Sequence, residues 1–254
     1  MSLGLPPLLV ANWKMYGTLA ESVQRIKRLG ALLNKHLVHC DIVVCPPFTL
    51  LRDFADHLPL IGVSLGAQDC HYSASGAHTG DVSAEMLADL RCNYVIIGHS
   101  ERRQAYKESN ELVAQKALAA HRAGLTAIVC VGETASERKA GKESEIVAEQ
   151  ILQSLPSSAD AKNTVIAYEP VWAIGAASPP SNAEIQAMHA HIEKILAQRN
   201  LNLRIIYGGA VSEKNVREII SIKEVAGVLV GRASLDPEQF WSLINAANDI
   251  SAIV

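Results

Sequence analysis

A chain of 254 residues that is 49% hydrophobic is long enough for one large α/β domain or two smaller ones. Its net charge of −3 includes no basic block, which argues against nucleic acid or an anionic membrane surface as the main partner. The longest apolar stretches are strand-length, so no transmembrane helix is available, and residues 1–10 make a poor signal peptide because no basic residue precedes their short apolar run.

The first strand is expected over residues 8–12 and ends in Asn12-Trp13-Lys14, with a helical pattern over 19–35 behind it. A second strand at 41–45 and helix at 49–55 follow, then a third strand at 61–67 and a helix at 83–89. Between these last two lies a segment, 68–82, that is long for a strand-to-helix loop. It carries Cys70, His71, Tyr72 and His78, and reads as a loop projecting to pack on a partner rather than as a metal site. The fourth strand, 94–97, runs into Gly98-His99-Ser100-Glu101-Arg102-Arg103 and a helix at 110–122. The fifth, 127–131, ends in Gly132-Glu133 and leads to a helix at 144–154. The sixth, 164–168, delivers Glu169-Pro170 and an apolar loop before a helix at 183–199, opened by the capping box Ser181-x-x-Glu184. Strands at 204–207 and 227–230 end in Gly208-Gly209-Ala210 and Gly231-Arg232-Ala233-Ser234, with helices at 213–221 and 237–247. Asp236-Pro237 supplies an N-cap and a first-turn proline, and Gly30 and Gly124 stand where helix C-caps are wanted.

The strands are apolar at successive positions, as parallel strands buried on both faces are. Eight strand–helix units without a linker or composition break fit a closed (β/α)8 barrel forming one domain over 1–254. An open doubly wound sheet is the alternative, weakened by the lack of a G-x-G-x-x-G after the first strand. Five cysteines (Cys40, Cys45, Cys70, Cys92, Cys130) with no C-x-x-C pair look like small buried residues of a reducing, cytoplasmic compartment.

In such a barrel the groups at the C-terminal strand ends surround one mouth. Glu169 stands beside a Trp-containing loop whose closure would desolvate the carboxylate and raise its basicity, as abstraction of a carbon-bound proton requires. His99, at a helix N-terminus, is expected to stay neutral and donate one N–H to a carbonyl oxygen. Lys14 can stabilise an oxyanion or phosphate across the mouth. The glycine clusters after the last two strands let backbone N–H groups approach an anion, which suggests a phosphorylated substrate. Glu101 and Glu133 are read as structural ion-pair partners rather than a second base.

Asn12-Trp13-Lys14-Met15, Gly98-His99-Ser100-Glu101-Arg102-Arg103, Tyr168-Glu169-Pro170-Val171-Trp172-Ala173-Ile174-Gly175 and Tyr207-Gly208-Gly209 together resemble the triosephosphate isomerase family, in its order and along nearly the whole chain. The resemblance implies interconversion of dihydroxyacetone phosphate and D-glyceraldehyde 3-phosphate without metal or organic cofactor. It makes Glu169 the base, His99 the proton donor and shuttle, and Lys14 the charge stabiliser. Asn12 would position substrate, and backbone at Gly175, Ala210, Gly231 and Arg232 would hold the phosphate. Residues 76–80 resemble the family's dimer loop, implying a homodimer through 68–82. The chain departs from the family at its lid, where Ala176-Ala177-Ser178-Pro179-Pro180 follows Gly175, at Ala210, where serine is usual, and at Arg232, which replaces a glycine. Ala210 has no hydroxyl and Pro180 no N–H, so two latches that hold the family's closed lid are expected to be missing, one of them to Tyr207. An isomerase of another small ketose phosphate and a non-catalytic sugar-phosphate-binding barrel remain as alternative readings.

Overall fold

The structure is a computed structural model and describes residues 5–174 and 179–251. The chain runs β1 (Leu8–Asn12), α1 (Leu19–Leu33), β2 (Asp41–Cys45), α2 (Leu51–His57), β3 (Ser64–Ala67), α3 (Ala84–Asp89) and β4 (Tyr94–Ile97). It continues through α4 (Ser100–Ala105), α5 (Asn110–Arg122), β5 (Thr126–Val131), α6 (Ala135–Lys139), α7 (Glu143–Ser154) and β6 (Thr164–Tyr168). The last units are α8 (Asn182–Gln198), β7 (Arg204–Tyr207), α9 (Val216–Ile220), β8 (Gly227–Val230) and α10 (Pro237–Ser251). The strands close in sequence order, β1 pairing with both β2 and β8 and every pairing parallel, so the open sheet is excluded.

Alternation along each strand builds two cores. Leu8 and Val10 point into the barrel with Val43, Ile96, Ile128, Val165, Ile206 and Leu229. Leu9 and Ala11 point outward into the layer beneath the helices, with Ile97, Val129, Ile166 and Tyr207. Both faces of each strand are thereby dry, which is why the strands read as apolar runs rather than as an alternating pattern. Each fully buried Leu or Ile contributes roughly 1.5–3 kcal/mol through area removed from water. Four of the five cysteines are buried, Cys40 is partly so, and all are free thiols. No helix among the described residues is long and apolar enough to cross a membrane.

Three expectations need correction. The third strand starts at Ser64 rather than residue 61, because Pro59–Ile61 forms a 3-10 turn instead. Gly30 is not a C-cap: it lies within α1, and a side chain there would press on the Ile61 methyl, so the glycine serves close packing. The helix expected over 213–221 is only Val216–Ile220, since residues 212–215 form a turn in which Asn215 Oδ1 accepts the Ser212 N–H. The Ser181–Glu184 capping box, the Asp236 cap and the left-handed Gly124 beyond α5 occur as expected. Short helices α4 and α6 occupy strand-to-helix connections beside the mouth.

Candidate active site

β1 carries Asn12 to the mouth, where it is buried and its Oδ1 accepts the backbone N–H of Lys14 at 3.0 Å. Lys14 has φ +52, a left-handed conformation costly for a residue with a Cβ. Gln68 stabilises this bend by donating from Nε2 to the carbonyls of Lys14 (2.8 Å) and Cys45 (2.9 Å). The ammonium of Lys14 then meets Glu101 Oε1 at 2.5 Å. In the sequence the signal for Gln68 is its position just after the third strand, where groups face the mouth.

His99 follows β4 and caps α4, its Nδ1 accepting the Glu101 backbone N–H at 3.2 Å. An acceptor at Nδ1 leaves the ring proton on Nε2, which faces Glu169 Oε1 at 3.0 Å. The other carboxylate oxygen of Glu169 accepts the Ser100 N–H at 3.1 Å. Glu169 is 2% exposed, so both oxygens spend their lone pairs on this one wall of the mouth. Its backbone is fixed as tightly. Its N–H donates to Val131 O, and a Cβ on Gly132 would overlap its carbonyl oxygen.

In the arrangement seen here, the neighbours of both groups oppose the effect of burial. Burial pushes the Glu169 carboxyl up, yet His99, the Ser100 amide and Lys14 together hold it below the ordinary glutamate value. Burial likewise opposes charge on His99, but Glu169 against Nε2 carries its pKa above the ordinary histidine value. The helix N-terminus therefore selects the tautomer without alone keeping the ring neutral. Beside the pair, burial and then the Glu169 charge raise the Cys130 thiol far above its ordinary pKa, so it stays protonated.

Glu101 and Glu133 take the structural partners expected of them. Glu101 holds Lys14. Glu133, fully buried, accepts from Trp172 Nε1 at 2.7 Å, from the Tyr168 hydroxyl at 3.1 Å and from Arg138 at 3.2 Å. Arg138 also stacks on the Trp172 ring at 4.5 Å, so α6 anchors the loop that leaves Glu169.

At the phosphate end, Ala210 follows β7 and its carbonyl accepts from Asn215 Nδ2 at 2.9 Å. Gly231 follows β8 close to the Lys14 side chain, and Arg232 opens a 3-10 turn with its side chain exposed. Asn12, Lys14, His99, Glu169, Ala210, Gly231 and Arg232 all sit at the C-terminal ends of their strands. Gly175, with Ala176, Ala177 and Ser178, lies outside the described residues. The hydroxyl of Tyr207, one of the two positions where a lid latch was expected to fail, is buried and, among the described residues, meets no side chain in hydrogen-bonding geometry.

His71, His78 and Asp81 offer ligand atoms within 4.8 Å of one another. The two rings lie 4.0 Å apart, tilted by 35°, and His71 Nδ1 accepts the Ser73 N–H. A metal-bound imidazole needs an acceptor, not a donor, at its second nitrogen, so this arrangement is that of a packed loop.

The family model described as triosephosphate isomerase matches residues 7–247. The chain belongs to the triosephosphate isomerase family. It is 45% identical over 248 residues to the triosephosphate isomerase of Brucella abortus, covering 96% of this chain and 97% of that one. The Rhizobium meliloti triosephosphate isomerase is 45% identical over 260 residues, covering 99% of this chain and all of its own length. The crystal structure of the Bartonella henselae triosephosphate isomerase superposes with a TM-score of 0.88 at 39% identity, covering 95% of this chain and 99% of that one.

Proposed function

We propose that this chain interconverts dihydroxyacetone phosphate and D-glyceraldehyde 3-phosphate, a step of glycolysis and gluconeogenesis, on a single (β/α)8 domain. The observation that carries this reading is the 3.0 Å contact between His99 Nε2 and Glu169 Oε1 at the barrel mouth. It puts a buried base and a single-proton donor side by side, close enough to serve adjacent carbon and oxygen atoms of one small substrate.

Glu169 takes the proton from the carbon next to the carbonyl, and the electron pair moves onto the carbonyl oxygen. His99 supplies a proton there and takes one back from the adjacent hydroxyl oxygen, whose electrons close the new carbonyl as Glu169 returns its proton to the former carbonyl carbon. When the substrate carbonyl takes the Nε2–H, Glu169 loses the partner that most lowers its pKa while its burial remains, so its basicity rises as the reaction needs. Lys14 stabilises the charge that develops on oxygen, and Asn12 fixes both Lys14 and the substrate. Backbone N–H groups at Gly175, Ala210, Gly231 and Arg232 hold the phosphate.

We further propose a homodimer through residues 68–82, supported by exposed apolar side chains on that loop and at neighbouring strand ends and helix starts. Met15 is 94% exposed, and Tyr16, Phe48, Tyr72 and Met86 are exposed with it. Five free thiols fit work in the reducing cytoplasm. A coupled assay supplying D-glyceraldehyde 3-phosphate tests the reaction. His99→Gln, which cannot shuttle a proton, should lose about 10²–10⁴-fold in kcat. Absence of triose phosphate turnover in the folded wild-type chain would refute the reading.

A further inference from the structure

Arg103 stands one helical turn after His99 on α4, and its part-buried side chain bonds to groups from four other parts of the barrel. Nε donates to Gly98 O at 2.8 Å and Nη1 to Asn110 Oδ1 at 2.7 Å. Nη2 donates to Cys130 O and to Ser154 Oγ, each at 3.2 Å. Gly98 follows β4, Asn110 opens α5, Cys130 lies in β5 and Ser154 closes α7. A planar fork of N–H donors can hold several acceptors at fixed angles, which a lysine ammonium cannot.

All four acceptors are neutral, and among the described residues no carboxylate lies within ion-pairing distance of the guanidinium. Burial accordingly pushes its pKa down, while Glu108 and Glu169 act on it only from further away. A desolvated cation without a contacting counter-charge costs stability, so an ion pair does not account for an arginine here.

What the side chain does hold is the backbone around His99. Nε takes the carbonyl before His99, and the Arg103 backbone N–H takes the carbonyl of His99 itself at 3.0 Å. Gly98 has φ +64, and a Cβ there would lie 2.8 Å from a Val113 methyl and 3.1 Å from Arg103 Nη2. The guanidinium therefore runs directly against the turn that presents His99. Through Nη2 it also grips β5 at Cys130, which pairs with Ala167 of β6, the strand that delivers Glu169.

We propose that Arg103 is a positioning residue for the isomerisation. By gripping the Gly98 and Cys130 carbonyls together, it sets the distance and angle at which His99 Nε2 faces Glu169. Its effect on turnover rests on the isomerase reading; the alignment of the two side chains does not.

The test is Arg103→Lys in the full chain, under conditions where urea unfolding shows the variant folded. Turnover of D-glyceraldehyde 3-phosphate and the NMR resonance of the His99 Nε2 proton are read together. The kcat should fall about 10- to 10²-fold with KM within about twofold, as when aligned groups are displaced by a fraction of an ångström. The Nε2 proton, deshielded in wild type by its 3.0 Å contact with Glu169, should move upfield or broaden by exchange with water. A residue that only stabilises the fold would lower the urea midpoint and leave kcat and the resonance at wild-type values. That result would overturn the proposal, as would a raised KM at unchanged kcat. Asn110→Ala removes an acceptor that steers the guanidinium while leaving the arginine in place, so it keeps the test open if Arg103→Lys does not fold. It should lower kcat roughly threefold, the loss of about one hydrogen bond, and shift the resonance the same way; wild-type values of both would refute the role. A folded wild-type chain without triose phosphate turnover would defeat the isomerase reading alone, and the resonance would still decide whether Arg103 aligns His99.

Discussion

At Glu169 two pressures oppose one another: burial favours the neutral acid, while His99, Ser100 and Lys14 favour the carboxylate and prevail. The same contact works in reverse on His99, whose proton is held more tightly because Glu169 faces it. The depressed Glu169 contributes stability above its ordinary value of 4.5 and loses it as pH falls through the lower folded value. The raised His99 contributes stability below its ordinary value of 6.5 and loses it as pH rises through the higher folded value. Their joint contribution is therefore fullest between pH 4.5 and 6.5. Thermal melts of wild type and His99→Gln across pH 4–9 should differ most in that window and converge above it; a constant difference would contradict the pairing. Gly132→Ala is a second test, because the added Cβ overlaps the Glu169 carbonyl and must displace the base. A shift of about 1 Å at the reacting group costs roughly 10²-fold, so kcat should fall by that order while substrate binding changes little. The identities of Glu169, His99 and Lys14 were legible because each stands at a strand end in a distinctive run of residues. Their resting electrostatics were not, since those depend on a 3.0 Å contact between groups 70 positions apart in the chain.

Elements behind the mouth are joined by a buried charge cluster. Lys116 of α5 meets Asp69 at 2.7 Å and Glu108 at 2.6 Å, and Arg102 of α4 meets the same two carboxylates at 2.8 and 2.7 Å. Asp69 is the second residue of the 68–82 loop and Arg102 stands three residues after His99, so the cluster ties that loop to the wall that carries His99. Lys116→Met would leave two buried carboxylates short of a counter-charge, an error that costs about 3–5 kcal/mol. Burial already raises Asp69 despite its cationic neighbours, so protonation should relieve the variant in part. Urea unfolding should show a larger deficit at pH 8 than at pH 5; an equal deficit at both would mean that the carboxylates are not its cause. Lys116 on an otherwise small-residue helix face gave no sign in the sequence of being buried, because its partners come from two other segments. The helix and strand runs were legible where apolar periodicity was long. Helices α4 and α6 span six and five residues, too short to show a period, and α6 is defined instead by its Thr134–Glu137 capping box.

For the whole molecule, the proposed homodimer would cover Tyr72 of the 68–82 loop, an exposed aromatic side chain. If that proposal holds, wild type sediments as a dimer and Tyr72→Asp shifts toward monomer with lower turnover; a wild-type monomer, or a dimer unshifted by the change, would contradict it. The closed barrel was legible from eight alternating units. The central claim is that Glu169 is the base of a triose phosphate isomerase. The most direct test is steady-state turnover of D-glyceraldehyde 3-phosphate by wild type and Glu169→Asp, which retracts the carboxylate by one methylene. The account predicts fast wild-type turnover, a fall in kcat of about 10²-fold or more in the variant, and KM within a few-fold. A variant as fast as wild type, with the fold intact, would contradict it.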